Sequence, residues 1–487
     1  MSLRTQSSLD VNEDELQQIS AESTRLVTEY LTTIADRPVR AENHAGKTLA
    51  AIDTKLSSEG RPLQKLIDEC RTVMDLSRHN GHPRFFGYVA SPSTPIGAYG
   101  DLIASALNAN ITCWRSGPAG TEIERMVVRW LGALIDYDKN AKGLLTSGGS
   151  MANMIALLIA HRRKSLVNAS RQGLWNTGSP MTIYASEEVH LSIAKGADIL
   201  GFGRDYVRAI ACDDRQRIRV DLLREKIQAD QAEGLRPFCV VGSAGTVNTG
   251  VVDPLNEIAD VAAEFDLWFH VDGAYGAPGS LDEQKKPLFA GLERANSVSL
   301  DPHKWLYVPV DAGCLLFRND AAARAAFSTD DADYIKTHGY TDEEAFAFWD
   351  YGVELSRRFR ALKVWMTLQY YGSRRIAAAI SEDIALAGYL GELVSNADDF
   401  ELLAPVELSI CCFRYVRDDD PDLDRLNERI MEMVQKGGRA YLSNATVNGK
   451  FALRACITNF RTTKRDIEET IAAVREAAEK LDTDKRG

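Results

Sequence analysis

The sequence contains no run of about 18 apolar residues, so no segment is expected to cross a bilayer as a helix. It opens with MSLRTQSSLDVNEDELQQIS, which has no apolar h-region and is too acidic for a transit peptide, so the expected location is cytoplasmic. Cysteine is sparse, eight in 487 residues, with no Cys-x-x-Cys pair. Cys411 and Cys412 are adjacent and the others scattered, which fits buried thiols of a reducing compartment rather than a disulfide framework. On the same reading the Asn-x-Ser/Thr triplets at Asn110, Asn168 and Asn444 are chance. Positive charge is in deficit, with Lys+Arg 57 against Asp+Glu 69 and a net charge of −12. A nucleic acid or an anionic membrane needs a basic footprint, so neither is expected as a partner, while a small anion held at one local site is still allowed. There is no internal repeat and no low-complexity tract. What is present is ordinary globular composition, 45% hydrophobic and 26% charged, in a chain long enough for more than one core.

The first 40 or so residues are polar and helix-prone, with Leu16, Ile19, Leu26, Val27 and Tyr30 at a rough helical spacing. Such a helix has no core of its own and must pack on the main body or on a second subunit. From about 100 to 320, short apolar segments alternate with helical stretches. MTIYAS (181–186), PFCVVGSAG (237–245), LWFHVDGAYG (267–276) and AGCLLFR (312–318) read as strands. Helices are predicted over 122–136, 151–164 and 254–265, the first opened by Thr121-x-x-Glu124 as a capping box. The alternation predicts βαβ units and a largely parallel sheet. The last hundred or so residues read as a smaller α+β unit, with strands LSICCFRYV (408–416) and KFALRACITN (450–459) and a helix from 464. The domains expected are 1–85, a helical dimerisation segment, 86–375, a large ligand-binding domain, and 376–487, a small C-terminal domain.

Four segments fall where a strand ends or a helix opens, which is where open α/β sheets bind ligands. Thr146-Ser147-Gly148-Gly149-Ser150 precedes a helix. Its glycines let the backbone approach a ligand, and the helix end favours an anion; it is neither GxxxxGK[ST] nor GxGxxG. Alone it reads first as an ordinary Gly-rich turn with Ser150 as N-cap. Asp272, in Val271-Asp272-Gly273-Ala274-Tyr275, ends an apolar strand and needs a partner, such as a protonated heteroaromatic nitrogen. Lys304, in Asp301-Pro302-His303-Lys304-Trp305, sits among bulky groups that would strip its hydration and free the amine for a Schiff base, unless it is a surface lysine whose head reaches water. His190, after the strand at 181–186, is placed to stack on a flat ring. An anion cradle, a stacking histidine, a strand-end acid and an imine lysine, in that order within one βαβ body, together serve pyridoxal 5′-phosphate.

On its motifs the chain resembles the group II pyridoxal-phosphate decarboxylases, which include aromatic-L-amino-acid, histidine, glutamate and cysteine-sulfinate decarboxylases. HPRFFGY, GPAGTEIE, TSGGSMAN, HLSIAKGADILG, GTVNTGVVDP, HVDGAYG, DPHKWL and ELSRRFRALKVW carry the resemblance from about residue 70 to 375. It implies a type I pyridoxal-phosphate transferase fold with a seven-stranded, mostly parallel sheet, and a homodimer with its site at the subunit interface. It implies that Lys304 forms the internal aldimine, that Asp272 pairs with the pyridine nitrogen, and that Ala274 and His190 sandwich the ring. Gly149 and Ser150 would bind the phosphate with His303 beside it, and Thr246 would orient His190. Tyr334 matches the family's mobile-loop tyrosine, the proton donor to the quinonoid carbanion. Family members with Phe there tend to form aldehydes, so Tyr334 argues for plain decarboxylation of an L-amino acid to the amine and CO₂.

For the substrate side chain, the resemblance points to Tyr88, Val89 and Ser91, and to Asn110 and Thr112 contributed by the partner subunit. These are smaller and more polar than the aromatic decarboxylases carry. Arg454 could meet a substrate carboxylate or tie the small domain to the large one, and Arg115 reads as an exposed arginine. Asp301 receives no role. His79-x-x-His82 lacks a fixed geometry and a third ligand, so no metal is expected. Two rival readings stand beside this one. The first is another pyridoxal-phosphate enzyme of the same fold: an aldehyde synthase, a carbon–carbon lyase or an aminotransferase. The second is a non-enzymatic nucleotide-binding or scaffold protein.

Overall fold

A computed structural model of the chain describes residues 9–486, apart from 43, 54, 57, 175–177, 329–340, 342 and 419. Tyr334 therefore lies outside the described residues. In chain order the strands are β1 (Phe85–Phe86), β2 (Lys142–Thr146), β3 (Met181–Ser186), β4 (Val207–Ile210), β5 (Arg236–Ser243), β6 (Trp268–Asp272), β7 (Ser297–Leu300), β8 (Gly313–Phe317), β9 (Phe400–Leu402), β10 (Ile410–Tyr415), β11 (Tyr441–Val447) and β12 (Lys450–Cys456).

Seven of them form one sheet in the order β2-β8-β7-β6-β5-β3-β4. Only β8 runs against its neighbours, so the sheet is mostly parallel, as the strand–helix alternation predicts. Phe238, Cys239, Val240 and Val241 are fully buried, the mark of a strand covered on both faces. The sequence reading missed β2, β4 and β7, four- or five-residue strands too short to show a period.

The first predicted helix starts earlier than expected, and Thr121-x-x-Glu124 is not its capping box. The helix runs Pro118–Leu134, started by proline at its first position, so Thr121 and Glu124 lie inside it. Glu124 is fully buried, 2.5 Å from Arg357 Nη2, and accepts the Leu145 N–H at 2.8 Å. Its carboxylate is committed to a buried ion pair rather than to a cap.

The N-terminal helix Glu13–Thr33 is capped by Asn12 and buries Leu26 alone, while Leu16 stays exposed. It packs on helix Leu63–Leu76, and Tyr30 Oη lies 3.2 Å from His79 Nδ1. The second sheet, β1-β11-β12-β10-β9, has its own core around Phe413, Leu442 and Leu453, covered by helices Leu423–Gly437 and Lys464–Arg486. β1 joins it in parallel with β11, so Phe85 and Phe86, far upstream in sequence, complete the C-terminal sheet. Helix Arg360–Ser395 breaks at Gly372, whose φ is +71°, just before the boundary expected at 375.

Asp383 on this long helix fastens the two bodies together behind the segment that carries Lys304. Its Oδ2 accepts Trp305 Nε1 at 2.9 Å and Tyr307 Oη at 2.7 Å, and its Oδ1 accepts the Asn459 N–H at 3.2 Å. Burial pushes this carboxyl up to about 7 against the pull of those donors. A folded value raised above the unfolded one gives stability that is complete below the unfolded value and lost as pH rises through about 7. A shift of this size corresponds to about 4 kcal/mol at most. The unfolding midpoint should therefore carry a falling component between pH 4 and pH 7 that Asp383→Asn removes. Thermal melts of both proteins across that range measure it. A variant that keeps the parent's full slope would assign the slope to other groups.

Candidate active site

The cleft lies beyond the carboxyl ends of the parallel strands, with a volume of about 510 Å³. The turn after β2 brings Gly149 and Ser150 to it, and the turn after β3 brings His190. Thr246 follows β5, while Asp272 and Ala274 stand at the end of β6. His303 and Lys304 follow β7. Segments from outside the sheet, including Tyr88 and Val89 before it and Ser443, Asn444 and Arg454 after it, close the far wall.

Three residues expected in the substrate pocket do not line this cleft. The Ser91 hydroxyl donates to the His303 carbonyl at 3.2 Å, bracing the backbone next to Lys304. Asn110 Oδ1 accepts the Arg357 N–H at 2.8 Å and borders a separate hollow of about 560 Å³ with Asn108 and Arg358. Thr112 is buried beside it, its carbonyl accepting the Phe348 N–H at 2.9 Å.

The cradle is a matter of backbone. Gly148 has φ +155° and ψ 174°, a conformation open to glycine, and helix Gly149–Lys164 starts on it without a side-chain cap. The uncapped N–H groups and the helix dipole leave a positive end facing the cleft. At Gly149 a Cβ would lie 2.8 Å from Ala274 Cβ and 3.0 Å from Asp301 Oδ2, so a side chain would fill the cradle.

Asp272 is nearly sealed from solvent and accepts from Asn153 Nδ2 at 2.7 Å, Ser299 Oγ at 3.1 Å and the Ala274 N–H at 3.2 Å. Burial works to raise its carboxyl, but the Lys304 charge and the Ala274 N–H oppose it and hold the group below the usual carboxylate range. Lys304 Nζ stands 3.0 Å from Asp301 Oδ2. Asp301 is itself buried, and its Oδ1 has no partner among the described residues. Burial lowers His190 and His303 first of all, with Lys304 adding to it, so both rings are neutral near pH 7. His303 Nδ1 is anchored on the Ala312 backbone, 2.8 Å from its carbonyl oxygen. Thr246 lines the cleft with its hydroxyl paired to Thr249 at 2.9 Å, while Ser192 Oγ holds His190 Nδ1 at 2.8 Å.

Arg454 is buried and spans three parts of the chain. Its Nε donates to the Asn248 carbonyl at 3.0 Å and its Nη1 to the Tyr88 carbonyl at 2.8 Å and Ser443 Oγ at 3.2 Å. Its Nη2 has no partner among the described residues. Tyr88 is held at φ +58°, a strained conformation for a bulky residue of the kind that collects at functional sites. The sequence reading gave no role to Asn153 or Asp301. The available signals were a polar residue one turn into an otherwise apolar helix, and an acid three residues before the lysine.

A lysine and a strand-end carboxylate facing one cavity, beside an anion cradle, mark enzymes that work through an aldehyde cofactor with an electron-poor ring. Residues 46–416 match the model of the pyridoxal-dependent decarboxylase conserved domain, and the chain belongs to that family. It is 32% identical over 477 residues to an aromatic-L-amino-acid decarboxylase of Bacillus atrophaeus, covering 97% of each chain. It is 29% identical over 484 residues to a 4-hydroxyphenylacetaldehyde synthase of Rhodiola rosea, covering 96% of this chain and 97% of that one. Oryza sativa TDC with PLP and tryptamine superposes with a TM-score of 0.90 at 27% identity, covering 98% of this chain and 100% of that one. Mouse CSAD gives 0.90 at 27%, covering 96% and 99%.

The chain is thus a pyridoxal-phosphate-dependent enzyme of the carboxy-lyase kind, and the residues present fit that cofactor. The cleft offers an uncapped helix end, with Lys304 and the buried, donor-held Asp272 lining the same cavity. No described helix is long and apolar enough to cross a membrane. Gly149→Ala should weaken cofactor binding roughly tenfold or more, the scale of overpacking a tight site. Fluorescence titration of the apoprotein measures this, and parent-like affinity would place the phosphate elsewhere.

Proposed function

We propose that this enzyme decarboxylates an L-amino acid to the corresponding amine and CO₂. The observation that carries the reading is Lys304 and the ionised Asp272 around one cleft, beside an uncapped helix end and with Arg454 on the far wall. When bound, pyridoxal phosphate supplies an aldehyde carbon for amines and a ring that takes up the electron pair released with CO₂. Gly149 and Ser150, at the positive end of their helix, hold the phosphate, with His303 beside them. Asp272, ionised and fixed by its donors, keeps a proton on the ring nitrogen. His190 and Ala274 wall the ring from its two sides. Lys304 Nζ, directed by Asp301, would provide the amine that holds the cofactor. Arg454, on the far wall, would face a substrate carboxylate.

Completion of the pocket by a second copy of the chain is part of this proposal. Helix Pro95–Leu107 leaves Leu102, Ile103 and Leu107 about half or more exposed, an apolar face suited to a homodimer. Asn110 and Thr112 follow that helix, and in this reading they reach the partner's cleft. Tyr334, which lies outside the described residues, protonates the substrate carbon.

Lys304→Ala should lose CO₂ release by several orders of magnitude in a screen of aromatic, acidic and sulfinic amino acids. Borohydride should fix the cofactor on Lys304 of the parent, as shown by peptide mass. Turnover in Lys304→Ala equal to the parent would end the proposal. Tyr334→Phe should shift products from amine and CO₂ toward aldehyde, ammonia, CO₂ and hydrogen peroxide, with oxygen and water consumed. Chromatography of the products decides this, and an unchanged amine yield would remove Tyr334 from the proton-transfer step.

A further inference from the structure

We propose that Asn153 is a positioning residue that, through one continuous set of buried hydrogen bonds, fixes both the Asp272 carboxylate and the tautomer of His190. The inference rests on the cofactor placement proposed above, not on which amino acid is the substrate.

The direction of every link follows from which groups can only donate or only accept. Asp272 Oδ2 is a carboxylate oxygen 2.7 Å from the Asn153 amide, so it is the NH₂ group that faces it. The other N–H of that amide donates to Ser192 Oγ at 2.9 Å. Asn153 Oδ1 therefore points the other way, 3.0 Å from His270 Nε2, and needs a donor there. His270 is completely buried and neutral, since burial lowers it to about 4 against the opposing pull of Asp272. A neutral ring with its proton on Nε2 must accept on Nδ1, and Ser297 Oγ lies 2.9 Å away to supply the hydrogen. Ser297 can give its own hydrogen because its oxygen receives Trp268 Nε1, a donor only, at 2.9 Å.

On the other side, Ser192 Oγ has accepted from Asn153 and passes its hydrogen to His190 Nδ1 at 2.8 Å. The Ser192 N–H also donates to that nitrogen, at 3.2 Å. His190 is thus left neutral with its one proton on Nε2. One amide links the acid that faces the ring nitrogen to the histidine that walls the ring. Turning the Asn153 amide over would set its oxygen against the Asp272 carboxylate and its NH₂ against a protonated His270 Nε2, breaking two links at once.

The test uses the full chain. In ¹⁵N-histidine-labelled apoprotein, the His190 resonances, assigned by their loss in His190→Gln, should report the Nε2–H tautomer. A parent spectrum with the proton on Nδ1 overturns the inference without any variant having to fold. In Asn153→Ala the His190 signals should move toward a tautomer mixture, and cofactor affinity, titrated by fluorescence, should fall about tenfold or more, the scale of losing a hydrogen bond to a buried charge. His270→Phe should weaken the cofactor several-fold. His270→Gln, which returns an N–H donor to Asn153 Oδ1, should recover most of that loss, a rescue that simple space-filling would not produce. Parent-like affinity and tautomer in Asn153→Ala, or equal behaviour of Gln and Phe at 270, overturns the proposal. Failure of the cofactor placement shows separately, as parent-like affinity in Asp272→Asn with the His190 tautomer as proposed.

Discussion

The structure is organised around one buried negative charge. Asp272 ends a strand that is buried along its whole length, a setting in which an isolated carboxylate costs several kcal/mol. The fold answers with Asn153, Ser299 and the Ala274 N–H as donors and with the cation of Lys304 across the cleft. Each donor comes from a different element, so the acid is satisfied only when helix Gly149–Lys164, β6 and β7 are assembled together. The same requirement makes the site rigid. An acid proposed to hold a proton on a ring nitrogen would work by staying ionised and staying still, and both follow from how Asp272 is buried.

A second constraint joins the C-terminal body to the cleft. Arg454 lies on β12 of the small sheet, yet it bonds the Asn248 carbonyl of the large body and the Tyr88 carbonyl of the segment leading into it. Asp383 does the same behind the site, gripping Trp305 and Tyr307 with one oxygen and Asn459 with the other. Lys304 therefore sits on a segment braced from both bodies, by Asp383 below and by Ser91 on the His303 carbonyl. Relative movement of the two bodies would be felt at the lysine and at the substrate wall together.

Wherever the signal was local, it was legible in the chain. Strand residues of 181–186, 237–243 and 268–272 declare themselves by short runs rich in apolar residues, and the acid, lysine and glycines stand out because each follows a strand or opens a helix. Failures came where a distant partner overrode a local pattern. Thr121-x-x-Glu124 has the form of a cap, but Glu124 is recruited by Arg357, more than two hundred residues away. Asn153 and Asp301 were passed over because their importance lies in what they touch and not in their neighbours along the chain.

From composition and order of residues alone came the class of chemistry and the βαβ body that supports it: an anion cradle, a strand-end acid and an imine lysine in one sequence of turns. Those features are short-range, since a glycine-rich turn or an apolar strand is specified by residues adjacent to one another. Tertiary structure alone decided which polar groups complete one another across the cleft, which arginine keeps an N–H free, and which way the Asn153 amide faces. Those choices join residues up to hundreds of positions apart, and burial, which exists only in the folded chain, makes an unmatched donor or acceptor too costly to tolerate.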